Sequence, residues 1–120
     1  VIQADGGTRT ASITGAWVAL RIATRYLQTE GVITRDPIVD QVAAISCGVF
    51  EGTPVLDLDY DEDSNAEADA NFVLTADGDI VEIQATGEKR GFTRAEFEQL
   101  FSLAEAGIKD LTQKQLAVVG

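Results

Sequence analysis

Val39-Asp-Gln-Val-Ala-Ala-Ile-Ser-Cys-Gly-Val-Phe50, then Glu51-Gly52, then Thr53-Pro-Val-Leu-Asp-Leu-Asp-Tyr60 decides the architecture of this chain. Residues 39–50 are apolar and rich in small and β-branched side chains, with little polar alternation. Such a run predicts a buried strand rather than one with a wet face. Glu51-Gly52 reads as a two-residue turn, and residues 54–60 as the returning strand of a hairpin. In that strand Leu56, Leu58 and Tyr60 share one face, and Asp57, Asp59 and Asp61 share the other.

Outward from this hairpin the periodicities change. Residues 62–69 are polar and turn-like; residues 70–76 and 80–85 then form a second hairpin around Asp77-Gly78. Upstream, residues 1–4 read as the end of a strand, broken by Gly6-Gly7. Residues 8–28 carry helical spacing, with one apolar stripe of Ile13, Ala16, Trp17, Leu20, Ala23 and Leu27. Val18, Ile22 and Tyr26 make a second stripe beside it, which predicts a long buried helix packed on two sides; Gly31 supplies its stop. Downstream, Thr93-Arg-Ala-Glu96 is a capping box with Phe92 and Phe97 as its hydrophobic staple. Phe97, Leu100, Phe101, Ala104 and Ile108 carry the buried stripe. Thr112-Gln-Lys-Gln115 repeats the box, with Leu111 and Leu116 as staple, and predicts a second helix start. The expected fold is α+β: a long helix, two antiparallel β-hairpins forming a four-stranded sheet, and C-terminal helices.

At 120 residues the chain has room for one core. Its 45% hydrophobic content and mean hydropathy near zero describe a globular chain rather than a disordered one. No apolar run approaches a bilayer span, nothing resembles a signal peptide, and the lone Cys47 sits in an apolar stretch as a buried thiol. These features together predict a cytoplasmic protein. The net charge of −11 opposes a nucleic-acid surface. That charge is uneven, because residues 1–35 hold four arginines against two acids, a net of +2. The chain contains no Met and begins within what reads as an element, so a fragment is expected.

Two stretches carry chemistry. Residues 57–69 pack seven carboxylates into thirteen residues with no balancing Lys or Arg. Carboxylates converging on a rigid frame repel one another unless a hard cation such as Mg²⁺ screens them. Calcium-loop spacing is present at Asp57, Asp59 and Asp61 but fails at the sixth position, Glu62, and the twelfth, Ala68. A solvated acidic strand face and loop accounts for Asp57, Asp61 and Glu67; Asp63 and Asp69 are the candidate pair. The second stretch is Gly6-Gly7-Thr8-Arg9. Glycines let the backbone approach a ligand, the helix start offers amides, Thr8 a hydroxyl and Arg9 a fork suited to phosphate oxygens. The plain alternative is a turn with Thr8 as a cap. The absence of His removes Ser–His and Cys–His couples, leaving carboxylates, Arg, backbone and metal. That set suits phosphoryl transfer.

Residues 4–16, Ala-Asp-Gly-Gly-Thr-Arg-Thr-Ala-Ser-Ile-Thr-Gly-Ala, and residues 57–71, Asp-Leu-Asp-Tyr-Asp-Glu-Asp-Ser-Asn-Ala-Glu-Ala-Asp-Ala-Asn, closely resemble the bacterial ribonuclease PH family. The resemblance continues through Gln84-Ala-Thr-Gly-Glu88 and the final helices, so it covers essentially the whole chain as the C-terminal half of that enzyme. It implies a partial ribosomal protein S5 domain 2-like fold, with residues 1–35 as phosphate loop and helix and residues 36–120 as an α+β subdomain. The activity implied is a phosphate-dependent 3′→5′ exoribonuclease, a nucleotidyltransferase that trims tRNA precursor 3′ ends and releases nucleoside diphosphates. Carried over residue by residue, Gly7, Thr8 and Arg9 hold the attacking inorganic phosphate, and Asp63 and Asp69 are the catalytic pair that serves Mg²⁺. Related polynucleotide phosphorylases have Lys two places beyond the second Asp, where this chain has Asn71. Family members assemble as hexamers, trimers of dimers, and their other half supplies a further phosphate-contacting Arg and the basic surfaces that track RNA. The isolated chain is therefore expected to be inactive. The alternative is a catalytically inert, exosome-type ring subunit, against which the retention of Arg9, Asp63 and Asp69 speaks.

Overall fold

The structure is a computed structural model that describes residues 7–56 and 65–120. The initial strand, Asp5, Gly6, the far part of the first hairpin and Asp63 lie outside the described residues. Helix α1 spans Thr8–Thr29; strands β1 to β4 span Val42–Phe50, Thr53–Leu56, Ala68–Thr75 and Ile80–Gly87; helix α2 spans Arg94–Val119. The sheet order is β2-β1-β3-β4, antiparallel throughout, so the two expected hairpins are joined through their first strands. The α+β expectation is borne out.

Strand alternation gives the sheet two unlike faces. Ala43, Ile45, Cys47 and Val49 of β1 and Ala68, Ala70, Phe72 and Leu74 of β3 point to one side. There they pack on Leu100, Ala104 and Ile108 of α2. Cys47 is buried and unbridged, as expected, with Sγ 3.7 Å from the Leu100 carbonyl oxygen. Burial, reinforced by the negative charge of Asp69, pushes its thiol up to about 12.

Helix α1 departs from expectation. It buries Thr10, Trp17 and Thr24, while Leu20, Ile22 and Tyr26 are all more than half exposed. Among the described residues it is packed on one side only. The reason lies at the edge of β1. Among the described residues, β2 pairs with β1 from Cys47 to Phe50 and none is paired with the start of β1 on that side. Helical side chains satisfy its backbone instead. The Thr14 hydroxyl accepts from the Ala44 N–H at 3.0 Å and donates to the Ala44 carbonyl at 3.1 Å. Trp17 Nε1 donates to the Asp40 carbonyl at 3.0 Å. Gln115 of α2 donates to the carbonyls of Val42 at 2.9 Å and Thr14 at 3.0 Å. Buried backbone groups left unpaired are costly, so these polar helical positions are turned inward.

Gln115 also explains why no second helix starts at Thr112. Helix α2 runs unbroken through that position; the Thr112 hydroxyl donates back to the Lys109 carbonyl at 2.8 Å, and Gln115 Oε1 accepts from Gln41 at 2.8 Å. The box residues are spent on tertiary contacts. The first box forms as expected: Thr93 Oγ1 accepts from the Glu96 N–H at 3.1 Å, and Glu96 Oε1 accepts from the Thr93 N–H at 2.9 Å.

Arg90 and this cap hold the Glu96 carboxyl down at about 2. A folded-state value below the unfolded one stabilises at pH above about 4.5 and is lost as pH falls towards 2. Glu96→Gln is therefore expected to flatten the acid limb of the stability curve between those values, as read by urea midpoints against pH.

The first hairpin turns through Glu51 (φ 51°) and Gly52 (φ 76°), both left-handed, which is the twist-matched form for a two-residue loop. Glu51 carries a side chain where that conformation costs about 1–2 kcal/mol. Glu51→Asn is expected to raise stability by about 0.5–1 kcal/mol, measured as a shifted urea midpoint at constant slope.

Candidate active site

Helix α1 begins after Gly7, whose φ of 77° and ψ of 16° are left-handed and favour glycine. The alternative of Thr8 as the cap residue is not seen: Gly7 holds that position. The Gly7 carbonyl accepts from Thr10 Oγ1 at 2.9 Å and from the Ala11 N–H at 3.0 Å. No acidic residue stands in the first turn. A 22-residue helix thus presents the positive end of its dipole with Arg9 in its first turn.

The helix lies obliquely to the sheet. Trp17 and Thr14 are bonded at β1, whereas Arg9 reaches the outer strand β4, its Nη2 2.6 Å from Glu82 Oε1. Glu82 is paired with Val73, Gln84 with Asn71 and Thr86 with Asp69. By alternation these six residues share one face. Arg9 and Asp69 are therefore on the same side of the sheet, the side opposite α2. Glu82 holds the Arg9 guanidinium near Val73, four strand positions or about 13 Å from Asp69 along β3. Both partners of this ion pair are about half exposed.

Asp69 is half-buried in β3, between Gly48 on β1 and Thr86 on β4. Asn71, two residues on, faces the same way across from Ser46. The Ser46 hydroxyl is buried and has no hydrogen-bond partner among the described residues. Oxygen donors therefore gather on this face. No group of three or more acidic, His or Cys side chains converges as a metal cage among the described residues. Magnesium keeps several waters and needs only one or two carboxylates, so Asp69 with Asp63 would suffice as a donor set.

Of the expected site residues, Gly7, Thr8 and Arg9 stand together at the helix start, and Asp69 faces their side of the sheet. Three residues were missed. Glu82 is the partner of Arg9 at a separation of 73 residues, beyond any local signal. Glu67, read as part of a solvated acidic face, instead accepts from Arg90 at 3.0 Å. Ser46 was hidden inside an apolar run; its single hydroxyl there was the available signal.

The family model described as "3' exoribonuclease family, domain 2" matches residues 40–107. The chain is 75% identical over 120 residues to a protein named Ribonuclease PH from Caulobacter vibrioides, covering 100% of this chain and 50% of that one. It is 61% identical over 119 residues to the Ribonuclease PH of Maricaulis maris, covering 99% and 50%. The chain thus spans about half the length of the relatives it matches. A crystal structure of rice (Oryza sativa) Rrp46 superposes with a TM-score of 0.75 at 18% identity, covering 99% of this chain and 51% of that one, which shows the shared fold. With the family model covering more than half of its residues, the chain belongs to the 3' exoribonuclease family and carries domain 2 of it.

Proposed function

We propose that this domain is the phosphate- and metal-bearing half of a phosphate-dependent 3′→5′ exoribonuclease that trims tRNA precursor 3′ ends and releases nucleoside diphosphates. One observation carries the reading: a helix start with Arg9 in its first turn, ion-paired to Glu82, and a half-buried aspartate, Asp69, share one sheet face. In the reaction an oxygen of inorganic phosphate attacks the terminal phosphodiester, the bond to the 3′-oxygen breaks, and the shortened RNA keeps a 3′-hydroxyl. The two phosphates repel each other. Arg9 and the amides around Gly7 and Thr8 offset charge on the incoming one, leaving its attacking oxygen directed toward the strand face. Glu82 parks the guanidinium until an anion competes for it. Asp69 acts at the opposite end, beside the leaving oxygen. Asp69 with Asp63 would hold magnesium, which would supply charge neutralisation there.

Arg9→Ala in the full-length protein is expected to raise the phosphate concentration for half-maximal phosphorolysis at least about tenfold, the scale of one lost charge-assisted hydrogen bond. Release of nucleoside diphosphate from a short RNA measures it. An unchanged phosphate dependence removes Arg9 from this role.

The same reading assigns the intact enzyme to the cytoplasm as a hexamer, a trimer of dimers. No helix among the described residues is long and apolar enough to cross a membrane. Light scattering on the purified full-length protein tests the assembly.

A further inference from the structure

Beside β3, on the loop that leads from β4 to α2, Arg90 bridges two carboxylates. Its Nε and Nη2 lie 3.0 and 2.9 Å from Glu67 Oε2, and its Nη1 and Nη2 lie 3.0 and 2.8 Å from the oxygens of Glu96. Glu96 is already fixed in the capping box of α2. Glu67 is fixed on its backbone as well: its N–H donates to the Val49 carbonyl at 2.8 Å, and its carbonyl accepts from Glu88 at 2.9 Å and Lys89 at 3.3 Å. Lys89 Nζ adds a bond to the Asn65 carbonyl at 3.2 Å. The loop closes tightly on the end of β4, since a Cβ on Gly87 would stand 2.1 Å from the Arg90 carbonyl oxygen.

Exposed ion pairs contribute little to stability singly; a forked pair in a network contributes more, so this arrangement is in part a staple. Its position is more informative. Glu67 immediately precedes β3, and Asp69 is the second residue of that strand, opposite Thr86 just before Gly87. The clamp thus grips the chain two residues from the aspartate and couples it to the start of a 26-residue helix.

We infer that Arg90 is a positioning residue for Asp69: by holding Glu67 against the cap of α2 it sets where β3 begins, and so how the Asp69 carboxylate meets a divalent cation. The inference rests on the cation role of Asp69 proposed above. Groups that orient a ligand without touching the metal typically change affinity 10- to 100-fold when removed.

Manganese stands in for magnesium in the test, bound to the full-length protein and followed by electron paramagnetic resonance. Arg90→Met is expected to raise the Mn²⁺ Kd about tenfold while leaving the phosphate requirement, set by Arg9, within about twofold. Arg90→Lys is expected to fall between, because an ammonium cannot fork to two carboxylates in one plane. A lowered Tm with an unchanged Mn²⁺ Kd would make Arg90 a structural residue only and overturn the inference. Should Arg90→Met fail to fold, Glu67→Gln keeps shape and acceptor; a severalfold weaker Kd sustains the inference and an unchanged one ends it. Equal Mn²⁺ binding by the parent and Asp69→Asn would refute the cation role itself, and the clamp's role with it.

Discussion

Asp69→Asn is expected to lower phosphorolytic turnover by about 100- to 1,000-fold in the full-length protein, the loss seen when one preorganised electrostatic group is removed from a transition state. Asparagine preserves the volume and one oxygen acceptor, so the change is close to the removal of a single charge. That charge is felt within the sheet: it helps push up the thiol of Cys47, whose side chain lies on the opposite face. Burial is the larger cause there, so the variant should keep Cys47 inaccessible to alkylating reagents, which serves as an internal check that the fold is intact. RNA affinity should change little, because the role proposed for Asp69 is at the bond being broken. Single-turnover rates at saturating phosphate and magnesium read the effect. A loss smaller than about threefold would remove Asp69 from the reaction.

Phe72→Ala is expected to cost about 3–5 kcal/mol of stability. Phe72 is fully buried in β3, its ring centroid 6.0 Å from that of Phe97 and 5.7 Å from that of Phe101, the latter met edge-on at 79°. Both partners come from the first turns of α2, so this cluster is the contact that docks the helix on the sheet. Truncation leaves a cavity between them and loses the aromatic contacts, worth about 0.5–1.5 kcal/mol each beyond burial. Single domains are stable by about 5–15 kcal/mol, so the variant should sit close to its unfolding midpoint under native conditions. Phe72→Leu keeps most of the volume and should cost less than about 1.5 kcal/mol. Urea unfolding of both variants separates cavity formation from general intolerance at this site; a loss below about 1 kcal/mol for Phe72→Ala would contradict the docking role.

The sheet was legible because its two first strands are apolar runs and its turns carry local chemistry, Glu51-Gly52 and Asp77-Gly78. The N-terminal capping box of α2 was legible for the same reason, since all its partners lie within three residues. What misled was side chains whose partners are remote. Thr14 and Gln115 look like ordinary helical surface, yet both serve the backbone of β1, at separations of 30 and 73 residues. Trp17 fell on an apolar stripe but is buried with its indole N–H paired to a carbonyl, while Leu20 of the same stripe faces outward. At the candidate site, glycine before a helix and the spacing of acids were visible in the residues, and the roles of Arg9 and Asp69 came from resemblance. The Glu82 contact could not be seen, because it depends on the register of β4 against β3 and the oblique course of α1.

The plugging of β1 by Thr14 and Gln115 has a consequence for how the chain survives while folding. Strand backbone left without partners is a template onto which any extended peptide, or another molecule of the same protein, can add. Here the backbone groups of Ala44 and Val42 are occupied by a hydroxyl and a carboxamide that belong to two different helices. Docking of both helices withdraws those groups from strand addition. Thr14→Val together with Gln115→Leu would strip those bonds from Ala44 and Val42, and seeding of aggregates should rise.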